Sequence, residues 1–232
     1  MFHRLPYRWL AVLGLLAGGA FLISAALQVT GAWLDHVGQQ GPTPFDDAAL
    51  RWCQDHYHRR WHRWAYELSA LGSTIVLTLV VSVVVVALLL AGHRRLPLLV
   101  LITSLGASLL ITNVKERVER PRPPAEQHLD PFVGASFSFP SGHALGAMAI
   151  YANLGLLLAR LAPNRRTAFF IRGTAIGLAL VIGLTRIYLR VHYPTDVLAG
   201  WLAGLAWLGI TTAALHQLHE AHTATPRPSA PC

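Results

Sequence analysis

The polar segment 185–196 contains the residues best suited to chemistry in this chain, because His192 stands four positions before Asp196. A helix that begins near Pro194 would place the Asp196 carboxylate behind the imidazole. A carboxylate there fixes the histidine tautomer and stabilises the imidazolium, which helps a nucleophile or a general base. Because charged side chains are costly beside hydrocarbon, their presence between two long apolar runs indicates function. The alternative is a loop at the membrane surface whose polar residues are incidental.

Two earlier segments contain groups suited to binding phosphate. Lys115 and Arg122, together with Arg186, supply three cations, which is enough to neutralise a phosphate and the charge of its transition state. Ser141 and Gly142 follow a proline and open an apolar helical pattern, so backbone N–H groups and the Ser141 hydroxyl would form an anion site at a helix start. Gly142 leaves room for phosphate oxygens to approach the backbone.

The complete set predicts phosphoryl transfer with one histidine at each end of the phosphate site. His192, supported by Asp196, would attack phosphorus, and His143 would protonate the leaving oxygen. Water would then hydrolyse the phosphohistidine and complete the reaction.

Each of these residues also has an ordinary structural explanation. Interfacial charge would account for Lys115 and Arg122, N-capping for Ser141, and snorkelling for Arg186. A structural pair would account for the histidine and the aspartate. Because all of these explanations would have to hold on one face of one bundle, the functional interpretation is preferred. Three further basic residues are unassigned and are interpreted as interfacial or as secondary substrate contacts: Arg117, Arg120 and Arg190.

The composition indicates an integral membrane protein. Of the 232 residues, 53% are apolar and only 13% are charged, against about 25% charged in ordinary soluble domains. Residues 74–92 and 96–112 contain no charged side chain, which is the pattern of membrane spans. The formal charge of +8 comes from residues that flank apolar runs, so nucleic acid is not an expected partner. With only Cys53 and Cys232, no disulfide framework is expected.

The apolar runs predict an all-α fold, a polytopic membrane helical bundle that forms one domain over residues 1–232. Six transmembrane helices are predicted at residues 9–31, 71–92, 96–114, 141–161, 173–189 and 195–215, followed by a polar tail at 216–232. Helix is preferred over strand because a lone strand in lipid leaves its backbone groups unpaired. A cleaved signal peptide is the alternative for the first run, but its apolar core would normally have about 7–15 residues.

An interfacial amphipathic helix is predicted between the first two spans, over residues 46–68. Apolar and aromatic residues recur there at steps of three and four: Leu50, Cys53, Tyr57, Trp61, Trp64 and Leu68. Such a helix would lie in the headgroup layer with its tryptophans at the interface. His58 and His62 are four positions apart and could bind a metal, but no further ligands accompany them, so a hydrated cationic face is preferred.

The predicted spans place the three polar segments on the same side of the bundle, because zero or two crossings separate each segment from the next. Their convergence on one site is therefore compatible with the topology. With the N-terminus inside, nine of the 19 lysines and arginines fall on the other, inner side. The positive-inside rule does not decide the orientation from this count.

The order and spacing of these residues resemble the three-part signature of the type 2 phosphatidic acid phosphatase family. The three parts are Lys115 with Arg122-Pro123, then Pro140-Ser141-Gly142-His143, then Arg186 with His192 and Asp196. The signature covers residues 115–196, and the six predicted spans match the membrane-bound lipid phosphate phosphatases of this family. Thr185 is one departure, since many members carry serine before the arginine.

The resemblance implies a metal-free phosphatase, without cofactor, that acts at the outer face of a membrane. His192 would be the nucleophile, Asp196 its partner and His143 the general acid. The implied phosphate-binding residues are Lys115, Arg122, Ser141, Gly142 and Arg186. Bacterial relatives dephosphorylate undecaprenyl pyrophosphate, phosphatidylglycerol phosphate, phosphatidic acid or lipid A, which implies a bacterial inner membrane with the site facing the periplasm.

The leading functional hypothesis is therefore a membrane lipid phosphate or pyrophosphate phosphohydrolase that works through a phosphohistidine. Its expected partners are the lipid phosphate substrate and membrane lipids. A lipid phosphotransferase would use the same residues, with a second lipid in place of water. A lipid transporter is the alternative from another class, but transport predicts charges within the spans, whereas these lie at span ends. A haloperoxidase is disfavoured by the six apolar runs.

Overall fold

Helices account for nearly the whole structure. The computed structural model describes residues 5–38, 42–131, 133–134 and 136–223, and within these ranges no strand occurs. The α-helices are α1 (Leu5–Val37), α2 (Pro44–Asp55), α3 (Arg59–Ala70), α4 (Thr74–Leu90), α5 (Arg95–Val118), α6 (Gly142–Ala159), α7 (Arg165–Tyr188) and α8 (Pro194–Thr223). A single 3-10 turn, Ala125–Gln127, lies in the loop between α5 and α6. The all-α prediction is confirmed.

Five helices are long and apolar enough to cross a membrane: Trp9–Val37, Arg95–Val118, Gly142–Ala159, Arg165–Tyr188 and Pro194–Ala214. α3 and α4 pass the same test only as a pair, bent by 46° at the break between them, and counting this pair as one span gives the six predicted crossings. The chain is thus an integral membrane protein with five or six spans. The last helix continues to Thr223, and residues 224–232 of the predicted tail, with Cys232, lie outside the described residues.

The fifth span starts earlier than predicted. It was expected at 173–189, but α7 begins at Arg165, where the Asn164 side chain accepts a hydrogen bond from the Thr167 backbone N–H at 2.9 Å. This cap starts the helix while its first turns still carry exposed arginines. Hydropathy alone marks the apolar part of a helix and misses such a charged first section.

The predicted interfacial helix is two helices rather than one. α2 starts with a capping box in which Thr43 and Asp46 satisfy each other's backbone N–H groups. It ends at Asp55, and α3 starts again after His58, whose ring accepts a hydrogen bond from the Arg60 N–H at 3.2 Å. The tryptophans of α3 remain exposed, as predicted, with Trp61 at 68% and Trp64 at 60% of their full accessible surface.

The central helix is α6, which packs against α4, α5, α7 and α8. Its contact with α8 is close because Gly200 and Gly204 have no side chain: a Cβ there would lie 2.8 Å from the backbone oxygens of Ser141 and Leu145. Small residues allow such approaches between transmembrane helices. As a result the first turns of both helices meet, and the Ser141 N–H donates to the Asp196 backbone oxygen at 3.0 Å.

Candidate active site

The predicted histidine–aspartate pair forms at the start of α8. This helix begins at Pro194, as the sequence indicated, and the Asp196 carboxylate accepts a hydrogen bond from the Tyr193 backbone N–H at 2.9 Å. Asp196 Oδ2 lies 3.5 Å from His192 Nδ1. Both side chains are buried, with 2% and 0% of their surfaces exposed for His192 and Asp196.

Ser138, which the sequence analysis did not identify, connects this pair. Its hydroxyl lies 2.5 Å from Asp196 Oδ2 and 3.3 Å from His192 Nδ1. On the other side of the imidazole, Arg122 Nη1 lies 3.0 Å from Nε2. Because the guanidinium can only donate, these partners assign the proton to Nδ1 and the lone pair, which accepts from Arg122, to Nε2.

The imidazole is neutral in this environment. Burial lowers the pKa of His192 well below its ordinary value, and the neighbouring cations, with Arg122 first, lower it further. A neutral histidine with its Nε2 lone pair toward a cationic wall has the form required of a nucleophile.

Arg120 holds Asp196 from the buried side. Its Nη1 donates to Asp196 Oδ1 at 2.6 Å and to Thr195 Oγ1 at 2.8 Å, while its Nη2 donates to Asp46 Oδ2 at 2.8 Å. The guanidinium carbon also lies 4.5 Å from the centroid of the Tyr193 ring. Burial by itself lowers the pKa of Arg120, but the two carboxylates raise it above its ordinary value. With 1% of its surface exposed, Arg120 is neither interfacial nor a substrate contact, so that prediction is wrong.

Asp46 is the other end of this network. In the sequence Asp46 is only the first residue of the predicted interfacial helix, yet its Oδ1 accepts the Thr195 backbone N–H at 3.0 Å. α2 is thereby joined to the first turn of α8 and, through Arg120, to Asp196. We name these three charged residues, Asp46, Arg120 and Asp196, the buried ion-pair network.

On the opposite side of His192 lies a cavity of about 700 Å³. Six of the eight predicted site residues line it: Lys115, Arg122, Gly142, His143, Arg186 and His192. The other two, Ser141 and Asp196, are buried behind its wall. The Ser141 hydroxyl caps α6 by accepting the Ala144 N–H at 3.5 Å, so its direct contact with phosphate stays a prediction.

The cavity cations are held in different ways. Among the described residues, Arg122 donates to uncharged acceptors: at 2.7 Å to the Ser136 and Val191 backbone oxygens, at 2.9 Å to the Ser136 hydroxyl and at 3.0 Å to His192 Nε2. Burial, followed by repulsion from Arg186, lowers the pKa of Arg122 to about 10, so it keeps its charge at neutral pH. Lys115 donates to the Phe137 backbone oxygen.

Arg186 has one anionic partner. Its Nη1 donates to Asp130 Oδ2 at 2.9 Å and to the Ser69 hydroxyl at 2.6 Å. Neither partner was identified from the sequence, because Asp130 lies in an irregular loop and Ser69 in an amphipathic helix assigned to the membrane surface. The cavity wall therefore carries three cations and one adjacent carboxylate.

The two histidines considered as metal ligands have structural contacts. The His58 ring caps α3, and His62 Nε2 lies 2.9 Å from the Leu129 backbone oxygen. Over the residues that the structure describes, no group of three or more His, Cys, Asp or Glu side chains is arranged to hold a metal ion.

Residues 97–220 match the family model of the PAP2 superfamily. This match covers more than half of the chain, including the whole signature region 115–196, and the chain therefore belongs to the PAP2 superfamily. The resemblance inferred from the sequence is confirmed.

Two curated relatives are similar over part of their length. The chain is 35% identical over 113 residues to phosphatidylglycerophosphatase B of Bacillus subtilis, which is 46% of this chain and 52% of that protein. It is 35% identical over 118 residues to lipid A 1-phosphatase of Rhizobium johnstonii, which is 48% of this chain and 44% of that protein. The alignments thus span about half the length of these relatives.

Two solved structures share the fold. A PAP2-type phosphatidylglycerolphosphate phosphatase from Bacillus subtilis superimposes with a TM-score of 0.67 at 23% identity, over 90% of this chain and 96% of that one. LpxE of Aquifex aeolicus superimposes with a TM-score of 0.53 at 22% identity, over 72% of this chain and 92% of that one. The transmembrane arrangement is therefore that of PAP2 proteins.

Proposed function

We propose that this protein is a lipid phosphate phosphohydrolase in which His192 is the nucleophile. The observation that carries the proposal is the position of His192 Nε2, 3.0 Å from Arg122 Nη1, at a cavity wall that also contains Lys115, Arg186 and His143. A phosphate whose oxygens bind these cations has its phosphorus next to the Nε2 lone pair. Positioning and charge neutralisation are the main requirements for phosphoryl transfer.

The proposed reaction has two steps. First, His192 Nε2 attacks phosphorus while the bond to the leaving oxygen breaks, and His143 gives its proton to that oxygen. Asp196 and Ser138 stabilise the imidazolium through Nδ1. Second, His143 takes a proton from a water molecule, which attacks phosphorus, breaks the P–N bond and releases phosphate with neutral His192. The negative charge of bound phosphate favours the protonated form of His143 at the start of the cycle.

The shape of the cavity supports a lipid substrate. From Lys115 it continues along α5 to Leu101, a distance of 14 residues or about 21 Å along the helix axis. α4 forms the other wall, and the rim residues Ile75 and Leu105 are exposed where a bilayer would surround them. A headgroup at the cations can therefore keep its hydrocarbon chain between α4 and α5. The names of the relatives point to phosphomonoesters of glycerophospholipids or of lipid A as substrates. Lipid diphosphates are kept among the candidate substrates to be tested.

The direct test measures phosphate release by the purified protein in detergent. The panel comprises phosphatidylglycerol phosphate, phosphatidic acid, undecaprenyl pyrophosphate, lipid A and a short soluble phosphate ester. Release from at least one lipid, lost in His192→Gln, is the expected result. Quenching a reaction with labelled lipid phosphate should trap an acid-labile, alkali-stable label on the protein, and a label that persists in His192→Gln would refute the assigned nucleophile. Transfer of phosphate to a second lipid would identify a phosphotransferase instead.

Metal independence is a separate part of the proposal. The charged side chains at the cavity wall are three cations and the single carboxylate of Asp130, whereas a magnesium site requires several oxygen ligands. We expect EDTA to leave phosphate release unchanged and vanadate to inhibit by adopting the five-coordinate geometry of the transition state. Loss of activity on chelation, restored by one added metal, would refute this part.

We further propose that the site faces the periplasm of a bacterial inner membrane. Four of the ten lysines and arginines on the site's side make contacts within the site: Lys115, Arg120, Arg122 and Arg186. This leaves six against nine on the other side, which favours the other side as cytoplasmic. A membrane-impermeant thiol reagent should label Trp61→Cys, in a Cys232→Ser background, from outside spheroplasts. Labelling only after lysis would reverse the orientation.

A further inference from the structure

A second cavity, of about 440 Å³, lies at the other end of the bundle, and we name it the basic cavity. Its lining comes from the turn between α4 and α5, the first turns of α5, the residue that follows α6, and α8. The residues that carry or can acquire positive charge are His93, Arg94, Arg95, Arg160 and His216. None of them contributes to the candidate active site.

The basic cavity is separated from the active site by the thickness of the membrane. α6 begins at the active site with Gly142 and ends with Ala159, next to Arg160. Its 18 residues span about 27 Å, close to the ~30 Å of a bilayer's hydrocarbon core. A ligand in the basic cavity must therefore come from the opposite membrane surface.

Among the residues whose side chains the structure describes, no aspartate or glutamate lies at this end, and the sequence has Glu220 later in α8. Arg95 and His216 already have interactions within the protein, so the cations that concern an added anion are Arg94 and Arg160. Arg94 and Arg160 are both exposed and come from separate segments, so an anion between them would be held from two sides.

The uncharged lining fits an amphiphile rather than a free anion. Leu99, which is almost fully buried, and Leu96 lie beside the arginines in the cavity wall. Thr212 also lines the cavity, and its hydroxyl is buried and has no hydrogen-bond partner among the described residues. A headgroup oxygen could receive this hydroxyl's hydrogen bond, and the first methylenes of an acyl chain could cover the leucines. The unpaired hydroxyl is an independent sign of a missing polar partner.

We propose that the basic cavity binds the phosphate headgroup of an anionic phospholipid from the leaflet opposite to the active site. Basic pockets between transmembrane helices are suited to such headgroups, because cations meet the phosphate while apolar side chains meet the chains. The bound lipid joins the α4–α5 turn to α6 and α8 and stabilises the bundle at this end. The site is independent of the proposed catalytic function.

The test uses the purified full-length protein in a neutral detergent. Its melting temperature is measured with added phosphatidylglycerol, phosphatidylcholine or inorganic phosphate, and native mass spectrometry counts retained lipids. Phosphatidylglycerol should raise the melting temperature, while the zwitterionic lipid should not. Arg94→Gln with Arg160→Gln should weaken phosphatidylglycerol binding about 25-fold, from about fivefold for each arginine at a membrane surface.

The matched control is Arg165→Gln with Arg166→Gln, two exposed arginines at the same end that do not line the cavity. It should keep the wild-type response to phosphatidylglycerol. Equal losses in both double variants would show a diffuse surface charge and overturn the proposal. If inorganic phosphate stabilised the protein as much as phosphatidylglycerol does, the proposal that the ligand is a lipid would be overturned, and the cavity would be a site for a soluble anion.

A second variant keeps the proposal testable if the double variant Arg94→Gln with Arg160→Gln does not fold. Thr212→Val preserves every charge and nearly the same volume, and it should lower phosphatidylglycerol affinity severalfold while phosphate release at the distant active site stays unchanged. An unchanged lipid affinity in this variant would show that the hydroxyl is not part of the site and would overturn the proposed headgroup position.

Discussion

One arginine lies on each side of His192, and the partners of the two arginines differ in charge. On the buried side, Arg120 is bonded to the carboxylates of Asp46 and Asp196. On the cavity side, the described partners of Arg122 are all uncharged: carbonyl oxygens, a hydroxyl oxygen and the Nε2 of His192. The charge of Arg120 is thus neutralised inside the protein, whereas the charge of Arg122 remains available for an external anion. Both arginines are largely enclosed, so burial does not distinguish the structural cation from the binding cation. The charge of their partners distinguishes them.

This difference predicts separate consequences for stability and activity. Removing one member of a buried ion pair leaves a charge without compensation, which typically costs about 3–5 kcal/mol. Removing a cation from neutral acceptors leaves groups that water can reach through the cavity. The free energy of unfolding therefore falls by less. Substrate binding and the transition state lose more, because no other group replaces that charge.

The largest effect is expected at the residue between the two sides. His192→Gln should reduce phosphate release by a factor on the order of 10⁴ or more, because no neighbouring group can accept the phosphoryl. The melting temperature should change little, since glutamine is uncharged and can still form hydrogen bonds. Activity within tenfold of wild type would show that His192 is not the nucleophile.

The next effect is a loss of stability on the buried side. Arg120→Met should lower the free energy of unfolding by about 3–5 kcal/mol, because Asp46 and Asp196 would remain buried without their cation. Thermal or chemical denaturation in detergent measures this change. Catalysis should fall as well, since Asp196 loses one of the groups that orient it.

The neighbouring carboxylates of α2 provide a matched pair for this test. Asp46→Asn should destabilise the protein, and its effect should be strongly non-additive with Arg120→Met, because both break the same network. Asp47→Asn changes an exposed carboxylate next in sequence, paired with Arg51 at the surface, and should have little effect. Equal effects of Asp46→Asn and Asp47→Asn would contradict the importance of the buried ion-pair network.

On the cavity side the balance should reverse. Arg122→Ala should reduce kcat/KM by about 10²–10³-fold, the usual cost of removing a preorganised group that stabilises the transition state. The free energy of unfolding should change by less than for Arg120→Met. Arg122→Lys should restore only part of the activity, because a lysine lacks the planar fork that binds two oxygens at once. Arg117→Ala changes an exposed arginine at the end of α5, five positions before Arg122, and as the control it should match wild type.

The cavity side was predictable from sequence because its residues are individually unusual. His192 and Asp196 are four positions apart on either side of a proline, and cations at the ends of apolar runs need an explanation even in isolation. The local spacing and the free-energy cost of placing charges beside hydrocarbon were sufficient to identify these residues. Their convergence on one site was compatible with the number of crossings.

The buried side was not predictable in the same way. Asp46 has a complete local explanation as part of a capping box, so nothing in the sequence requires a distant partner. Its bond to Arg120 joins residues 74 positions apart, and no periodic pattern encodes that contact. Likewise the break between α2 and α3 depends on the His58 ring acting as a cap, although the apolar pattern runs through it without interruption.

The smallest predicted effect concerns α3, which lies between the cavity and the surrounding lipid. Tyr66, Ser69 and Ala70 of this helix line the cavity, while Trp61 and Trp64 point away from the protein and are exposed. Tryptophans at the headgroup layer anchor a helix there, so we expect them to hold α3 beside the lipid's entry to the cavity.

Trp61→Ala with Trp64→Ala should therefore lower kcat/KM for long-chain lipid phosphates about fivefold, the equivalent of about 1 kcal/mol. A short soluble phosphate ester should be affected less than twofold, because the cations and histidines are unchanged and such an ester does not enter from the bilayer. Trp33→Ala is the control, since this exposed tryptophan stands near the same end of the bundle on α1, away from the cavity. Equal losses on both substrates would mean that α3 supports the site itself, through Ser69 and its bond to Arg186, rather than the path by which lipid arrives.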